Sequence, residues 1–212
     1  MNVLRAMLSQ LPSRFEAGKD SLSVRLASVL LLALACGASS AEDVALRAGV
    51  FNPPRVAPDF SLKGSDGSEL KLSGHRGKVV VLAFGFTSCP DVCPTTLGVL
   101  AQAQERLGAA GKDLQVIYIT VDPERDDAAR MHVYLAGFNP TFVGGTGTAA
   151  ELAAVREAYG IFATRKNVGS AYTVAHSSYT YLIDRQGRLR ALMPYGHTAD
   201  DYVHDLKLLL KT

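Results

Sequence analysis

Cys89 and Cys93 are the residues whose type and spacing point most directly to chemistry. They lie in Phe86 to Thr96 (FTSCPDVCPTT), where an aliphatic run gives way to a helical pattern. A four-residue spacing can present both sulfurs on one side of a helical turn, and the unpaired backbone N–H groups of a helix start favour thiolate over thiol. Both cysteines are therefore expected to be reactive or ligating. Pro90 and Pro94 stiffen the turn, and Asp91 is placed to cap the helix. Their loop is too short for a cross-link to remove much chain entropy, so a purely structural disulfide would contribute little. A plainer alternative is two small buried side chains at a strand-to-helix junction. Against it stand the two prolines, the aspartate and the carboxyl end of a strand, where open α/β sheets place their sites.

Three residues separate the cysteines, whereas thiol oxidoreductases of the thioredoxin type use C-x-x-C. The aromatic residue usual before such a motif is replaced by Ser88, and the chain has no Trp. His176 adds a nitrogen donor. It lies in Ala171 to Ser178, read as a loop before the strand Tyr179 to Ile183. In thioredoxin-like folds that loop faces the cysteine turn and carries a cis-proline, whose equivalent here is Ser178. Losing the proline beside an imidazole points away from peptide disulfides and toward a metal. Two thiolates with one imidazole suit Cu(I) or Cu(II). Zinc accepts the same donors but normally takes a fourth ligand in a structural site. Asp122, Glu124 and Asp126 (VDPERD) follow the second buried strand and are candidates to support the ligands from behind, Asp126 otherwise simply opening a helix. His75, His132, His197 and His204 share no ligand spacing and read as surface or loop residues.

The elements that must position these residues follow from hydrophobic pattern. Asp59 to Leu62 and Glu69 to Leu72 flank a turn-forming KGSDGS and predict an N-terminal hairpin. Lys78 to Phe86 (KVVVLAFGF) and Leu114 to Val121 (LQVIYITV) are near-continuous apolar runs that suit strands buried on both faces. Helical spacing marks Pro94 to Leu107, Asp126 to Phe138, Ala149 to Tyr159 and Ala199 to Leu210. Gly144 to Thr148 (GGTGT) lacks the phosphate-binding fingerprint, so its glycines read as turn formers. Tyr179 to Ile183 and Leu189 to Met193 predict a second hairpin. Strands alternating with helices early, a hairpin late and a closing helix predict an α/β, thioredoxin-like fold with a mixed central sheet and helices on both faces.

The chain has 212 residues, 48% of them hydrophobic, enough for one globular core and an appendage. Its net charge of +2 comes from the first forty residues, beyond which basic and acidic residues balance, so no nucleic-acid-binding face is expected. Leu26 to Ala38 (LASVLLLALACGA) is entered through Arg25 and followed by small residues, which reads as an export signal rather than a membrane span. Residues 1–41 are thus expected to be a signal peptide or a membrane or lipid anchor, with Cys36 a candidate for lipid attachment. Glu16 and Asp20 fit poorly with a mitochondrial presequence. Residues 42–57, containing Asn52-Pro53-Pro54 and no periodicity, read as a tether to a domain spanning 58–212.

From about Ala57 to Leu210 the chain resembles the Sco/SenC family of copper chaperones for cytochrome c oxidase. GKVVVLAFGFTSCPDVCPTTL, VDPERD, FVGGTGT and AHSSYTYLIDRQG occur in that family's order. The resemblance implies a thioredoxin-like domain on the outer side of an energy-converting membrane, here the periplasmic side of a bacterial inner membrane. It implies copper bound through Cys89, Cys93 and His176 and passed to the binuclear copper site of oxidase subunit II. A second copper chaperone or a thiol reductant are further expected partners. An acidic residue commonly precedes the family's ligand histidine; Ala175 stands there in this chain, after a basic segment. The competing reading is a thiol-disulfide oxidoreductase that reduces the cysteines of the same apo site. A peroxiredoxin-like peroxidase would need Thr or Ser three residues before its attacking cysteine, where Phe86 and Pro90 stand.

Overall fold

A computed structural model describes residues 45–212, so the expected leader, Cys36 and the first tether residues lie outside the described residues. The strands are β1 (Gly49–Val56), β2 (Ser61–Gly64), β3 (Glu69–Lys71), β4 (Val79–Gly85), β5 (Leu114–Thr120), β6 (Val143–Thr146), β7 (Ala163–Val168), β8 (Ala171–His176), β9 (Tyr179–Ile183) and β10 (Arg188–Pro194). The α-helices are α1 (Val92–Arg106), α2 (Ala128–Ala136), α3 (Ala149–Tyr159) and α4 (Ala199–Leu210). Eight strands form one sheet in the order β1-β10-β9-β4-β5-β6-β2-β3, and β7 pairs with β8 as a separate ribbon.

Every residue of β4 and β5 is buried, as two-face coverage demands of such apolar runs. They run parallel from Val79↔Leu114 to Gly85↔Thr120, and β5 continues parallel to β6. The remaining pairings of this sheet are antiparallel, which makes it the expected mixed sheet. The β4-α1-β5 and β5-α2-β6 connections step the same way across the sheet, and the right-handed crossover rule puts α1 and α2 on one face. On that face α4 joins them, its Tyr202 hydroxyl 2.7 Å from that of Thr180. Helix α3 covers the other face, where Tyr159 packs on Phe84 and Tyr181 with ring centroids 5.8 and 5.2 Å apart.

Three stretches depart from the sequence reading, each for lack of a hydrophobic alternation. Within the expected tether, β1 pairs with β10 at the sheet edge. Its side chains are almost all exposed, and the edge tolerates Pro53 and Pro54, so no period marks it. The GGTGT glycines form β6 rather than a turn. A Cβ on Gly144 would lie 2.9 Å from Met131 Cε, and one on Gly145 would lie 3.1 Å from Leu70 Cδ2. Both faces of β6 are so closely covered that glycine replaces the apolar side chains that would identify a strand. The basic segment after α3 is the β7–β8 ribbon, whose outward Thr164, Arg165, Lys166 and Asn167 likewise hide its pairing.

Helix α4 begins with a capping box: Thr198 accepts from the Asp201 N–H, and the Asp201 carboxylate accepts from the Thr198 N–H at 2.9 Å. The fully buried Asp205 accepts from the N–H groups of Arg47 and Ala48 at 2.8 and 2.9 Å, pinning the start of the described chain to this helix. Bonds from the Thr198 backbone and hydroxyl, with Arg47 alongside, lower Asp201 to about 2. A carboxylate held below its unfolded value stabilises the fold above about pH 4 and loses that contribution as pH falls toward 2. Asp201→Asn is therefore expected to lower the thermal midpoint by about 2–4 °C at pH 7, equivalent to about 1 kcal/mol. The difference from the parent chain should shrink as pH falls from about 4 through 2, and a pH-independent difference would exclude this linkage.

Candidate metal centre

Strand β4 ends beneath the first turn of α1, and this junction sets the two cysteines. Helix α1 begins two residues earlier than its pattern suggested, which puts Cys93 inside its first turn, 3% exposed. Cys89 lies half-buried in the preceding turn, its N–H donating to the Phe86 carbonyl at 3.2 Å. Both are free thiols. Asp91 stands at the N-cap position as expected, yet its side chain makes no capping bond.

The expectation of a thiolate fails at Cys93. Burial pushes its thiol up to about 12; the Tyr118 hydroxyl and the Phe86 backbone act in the opposite direction, and Cys89 nearby raises it further. The helix start cannot offset removal of the sulfur from water. At neutral pH Cys93 carries a proton, which any metal bound there must displace.

His176 is the last residue of β8, not part of a loop. Its Nδ1 lies 2.8 Å from the Ser177 carbonyl, which can only accept, so Nδ1 carries the hydrogen. Nε2 is left with its lone pair, 3.5 Å from Cys93 Sγ. Phe86 meets the imidazole edge to face with centroids 5.9 Å apart. Burial lowers the histidine's pKa against the opposing effect of the Ser177 bond, so the ring is neutral at pH 7. Cys93 and His176 are thus brought into contact. Cys89 is near enough to perturb Cys93, but among the described residues no three His, Cys, Asp or Glu side chains form a ready metal cage. The contact that the fold provides is that between Cys93 and His176, with Cys89 beside Cys93.

The acidic residues of VDPERD touch neither sulfur; they hold the elements that carry the donors. Asp126 is fully buried and accepts from Thr87 N at 2.9 Å, Thr87 Oγ1 at 2.5 Å and Thr120 Oγ1 at 2.8 Å, fixing the turn just before Cys89. The N-cap of α2 is instead Asp127, which accepts from Arg130 N. Asp122 accepts from Arg125 and, at 2.9 Å, from the Tyr172 hydroxyl. The Arg125 guanidinium lies 4.0 Å from the Tyr172 ring centroid and donates to the Tyr172 carbonyl at 3.2 Å. Tyr172 is in β8, so this cluster ties the strand ending in His176 to the carboxyl end of β5. Glu124 pairs with Arg165 of β7 at 2.9 Å, a second tie to the same ribbon.

Gly85, Tyr118, Arg125 and Tyr172 also shape the centre, and the linear chain marks them only weakly. Arg125 had a signal in the VDPERD segment. Tyr118 was concealed in an apolar strand run, and Tyr172 in a segment without periodicity. Gly85 matters because a Cβ there would lie 2.1 Å from Tyr118 Oη and 2.8 Å from Cys93 Sγ. Only a residue without a side chain lets α1 approach β4 so closely.

A family model described as SCO1/SenC matches residues 50–211. A SCO2-like protein of Rickettsia felis is 35% identical over 137 residues, which cover 63% of this chain and 67% of that protein. Bradyrhizobium japonicum ScoI, solved with copper bound, is 34% identical with a TM-score of 0.68, covering 73% of this chain and 99% of that one. Apo Sco1 from Thermus thermophilus is 35% identical with a TM-score of 0.71, covering 78% of this chain and 97% of that one. The family match spans the β4–α1 junction, the VDPERD segment and the β8–β9 region that build the centre. On this match of sequence and fold, the chain belongs to the SCO1/SenC family.

Proposed function

We propose that this protein binds copper through Cys89, Cys93 and His176 and delivers it to the binuclear copper site of cytochrome c oxidase subunit II. The observation that carries the reading is the 3.5 Å approach of a neutral imidazole Nε2 to the buried Cys93 sulfur, with Cys89 beside it. Two sulfurs and one nitrogen suit copper in either valence better than zinc, which normally seeks a fourth donor in a structural site. Copper-bound relatives and the oxidase-assembly role implied by the family resemblance support the choice of metal and recipient. Copper here is cargo. A site whose occupation releases the Cys93 proton is suited to loading and release rather than to permanent retention.

The thiol-reductase reading uses the same pair differently. Attack on a disulfide needs a thiolate, and the buried Cys93 is a poor candidate at neutral pH; the attacking group would be Cys89. Residues 1–41 would carry the chain across the bacterial inner membrane, leaving the domain on the periplasmic side, released or held through the N-terminus. Among the described residues no helix is long and apolar enough to cross a membrane. A second copper chaperone or a thiol reductant would supply the metal or keep the pair reduced.

Metal analysis of the purified protein tests the central claim. The anaerobically reduced chain is expected to take up copper in a one-to-one ratio, lose it when the pair is oxidised to a disulfide, and regain it on reduction. Equal copper uptake by fully oxidised and fully reduced protein would rule out the site.

A further inference from the structure

Tyr118 is 1% exposed, and its hydroxyl has no hydrogen-bond partner among the described residues. A buried unpartnered hydroxyl is destabilising, and phenylalanine would fill the same space without it. The hydroxyl is not isolated from chemistry, however. At Gly85 the side chain is missing where Tyr118 Oη and Cys93 Sγ both crowd the backbone. The sulfur therefore has His176 Nε2 on one approach and a phenolic O–H on another. A neutral thiol is a weak acceptor, whereas a thiolate accepts strongly.

We infer that Tyr118 is a positioning residue for the metal centre: its hydroxyl donates a hydrogen bond to Cys93 Sγ once that sulfur is a metal-bound thiolate. This rests on copper binding through Cys93 as proposed above. No bond to carbon or sulfur is made or broken; the hydroxyl only turns toward the charge that metal binding creates. A hydrogen bond withdraws electron density from a ligating sulfur and tunes the metal it holds.

The test compares the parent protein, Tyr118→Phe and Tyr134→Phe, each loaded with Cu(II) or Cu(I). Tyr134 is the control because its hydroxyl is also buried without a partner and its ring packs on Tyr118 and Phe138, while the phenol that crowds Gly85 beside Cys93 is that of Tyr118. Without the hydrogen bond, Cys93 becomes the more electron-rich donor. Tyr118→Phe should move the sulfur-to-copper charge-transfer band to lower energy and weaken Cu(I) binding by about tenfold at neutral pH. Its apo thermal midpoint should be unchanged or higher, because the lost hydroxyl had no protein partner. Tyr134→Phe should leave the band in place. An unmoved band and unchanged affinity in Tyr118→Phe would reduce Tyr118 to a core residue. An equal shift in Tyr134→Phe, or a clear fall in apo stability of Tyr118→Phe, would also overturn the assignment. If the parent protein binds no copper, the proposed function fails first, and this inference with it.

Discussion

His176→Ala is expected to abolish stable Cu(II) binding while leaving the cysteines able to form and break a disulfide. In the folded domain Nδ1–H is committed to the Ser177 carbonyl, so Nε2 is the nitrogen that can donate, and it points at Cys93. Burial holds the imidazole's pKa below its ordinary value of 6.5. The sign is favourable for a ligand, because burial favours the neutral ring that can donate its lone pair. Two thiolates alone can hold Cu(I) in a near-linear arrangement, so some Cu(I) affinity should remain. With no borderline nitrogen, two Cu(II) ions tend to oxidise the thiolate pair to a disulfide, each taking one electron and leaving as Cu(I). Because loss of a group behind a ligand already costs about 10–100-fold in affinity, loss of the ligand itself should exceed about 100-fold for Cu(II). The strong sulfur-to-copper charge-transfer band should disappear, and in cells oxidase copper loading should fail. A variant that keeps the Cu(II) spectrum and supports normal oxidase assembly would make His176 a bystander and give the thiol-reductase reading precedence.

Asp126→Ala should give the largest loss of stability of any single change around the centre, about 3–4 kcal/mol. The carboxylate is fully buried and accepts three hydrogen bonds from Thr87 and Thr120, with Arg130 Nε at 3.7 Å. Bonds to a charged group contribute about 1.5–3 kcal/mol each, and removing the acceptor leaves the Thr87 N–H and the Thr120 hydroxyl without it. These terms are not additive, so the expectation is well below their sum. At about 2–4 °C per kcal/mol the thermal midpoint should fall by about 6–16 °C. Asp126→Asn should cost less, since one oxygen can still accept from Thr87 N and Thr120 while the amide meets the rotatable Thr87 hydroxyl. Copper should restore part of the lost midpoint in either variant, because a ligand of the native state stabilises it by mass action. Thermal unfolding with and without Cu(I) checks this. A midpoint within a degree of the parent for Asp126→Ala would show that the turn is held by other contacts.

The residues of the centre were legible in the linear chain because their chemistry is local. Cys89 and Cys93 lie four residues apart at one strand-to-helix junction, their spacing is unusual for a redox pair, and the apolar run before them is long enough to mark a buried strand without any contact information. Helices α3 and α4 were equally plain: each has its own apolar stripe and a capping box, Thr148 with Glu151 and Thr198 with Asp201, written within a few residues. His176 was legible only as a donor type near a strand start. That it reaches Cys93 depends on β9 lying beside β4, and on Asp122, Arg125 and Tyr172 fastening its ribbon to β5.

Tertiary structure decided the rest, and in each case for a reason that spans the chain. Strands β1, β6 and β7–β8 have no alternation of their own, since one is an exposed edge, one is glycine under tight cover and one faces its polar residues outward. The protonation of Cys93 reversed the local expectation because desolvation by the surrounding core outweighs the helix start, and burial cannot be read from a motif. Asp126 looked like a helix opener in sequence; folding buries it against Thr87 and Thr120 instead, where it holds the cysteine turn. What the sequence by itself determined was the set of donors and the order of the main elements. Which donors touch, and which thiol keeps its proton, followed from long-range packing that no local pattern encodes.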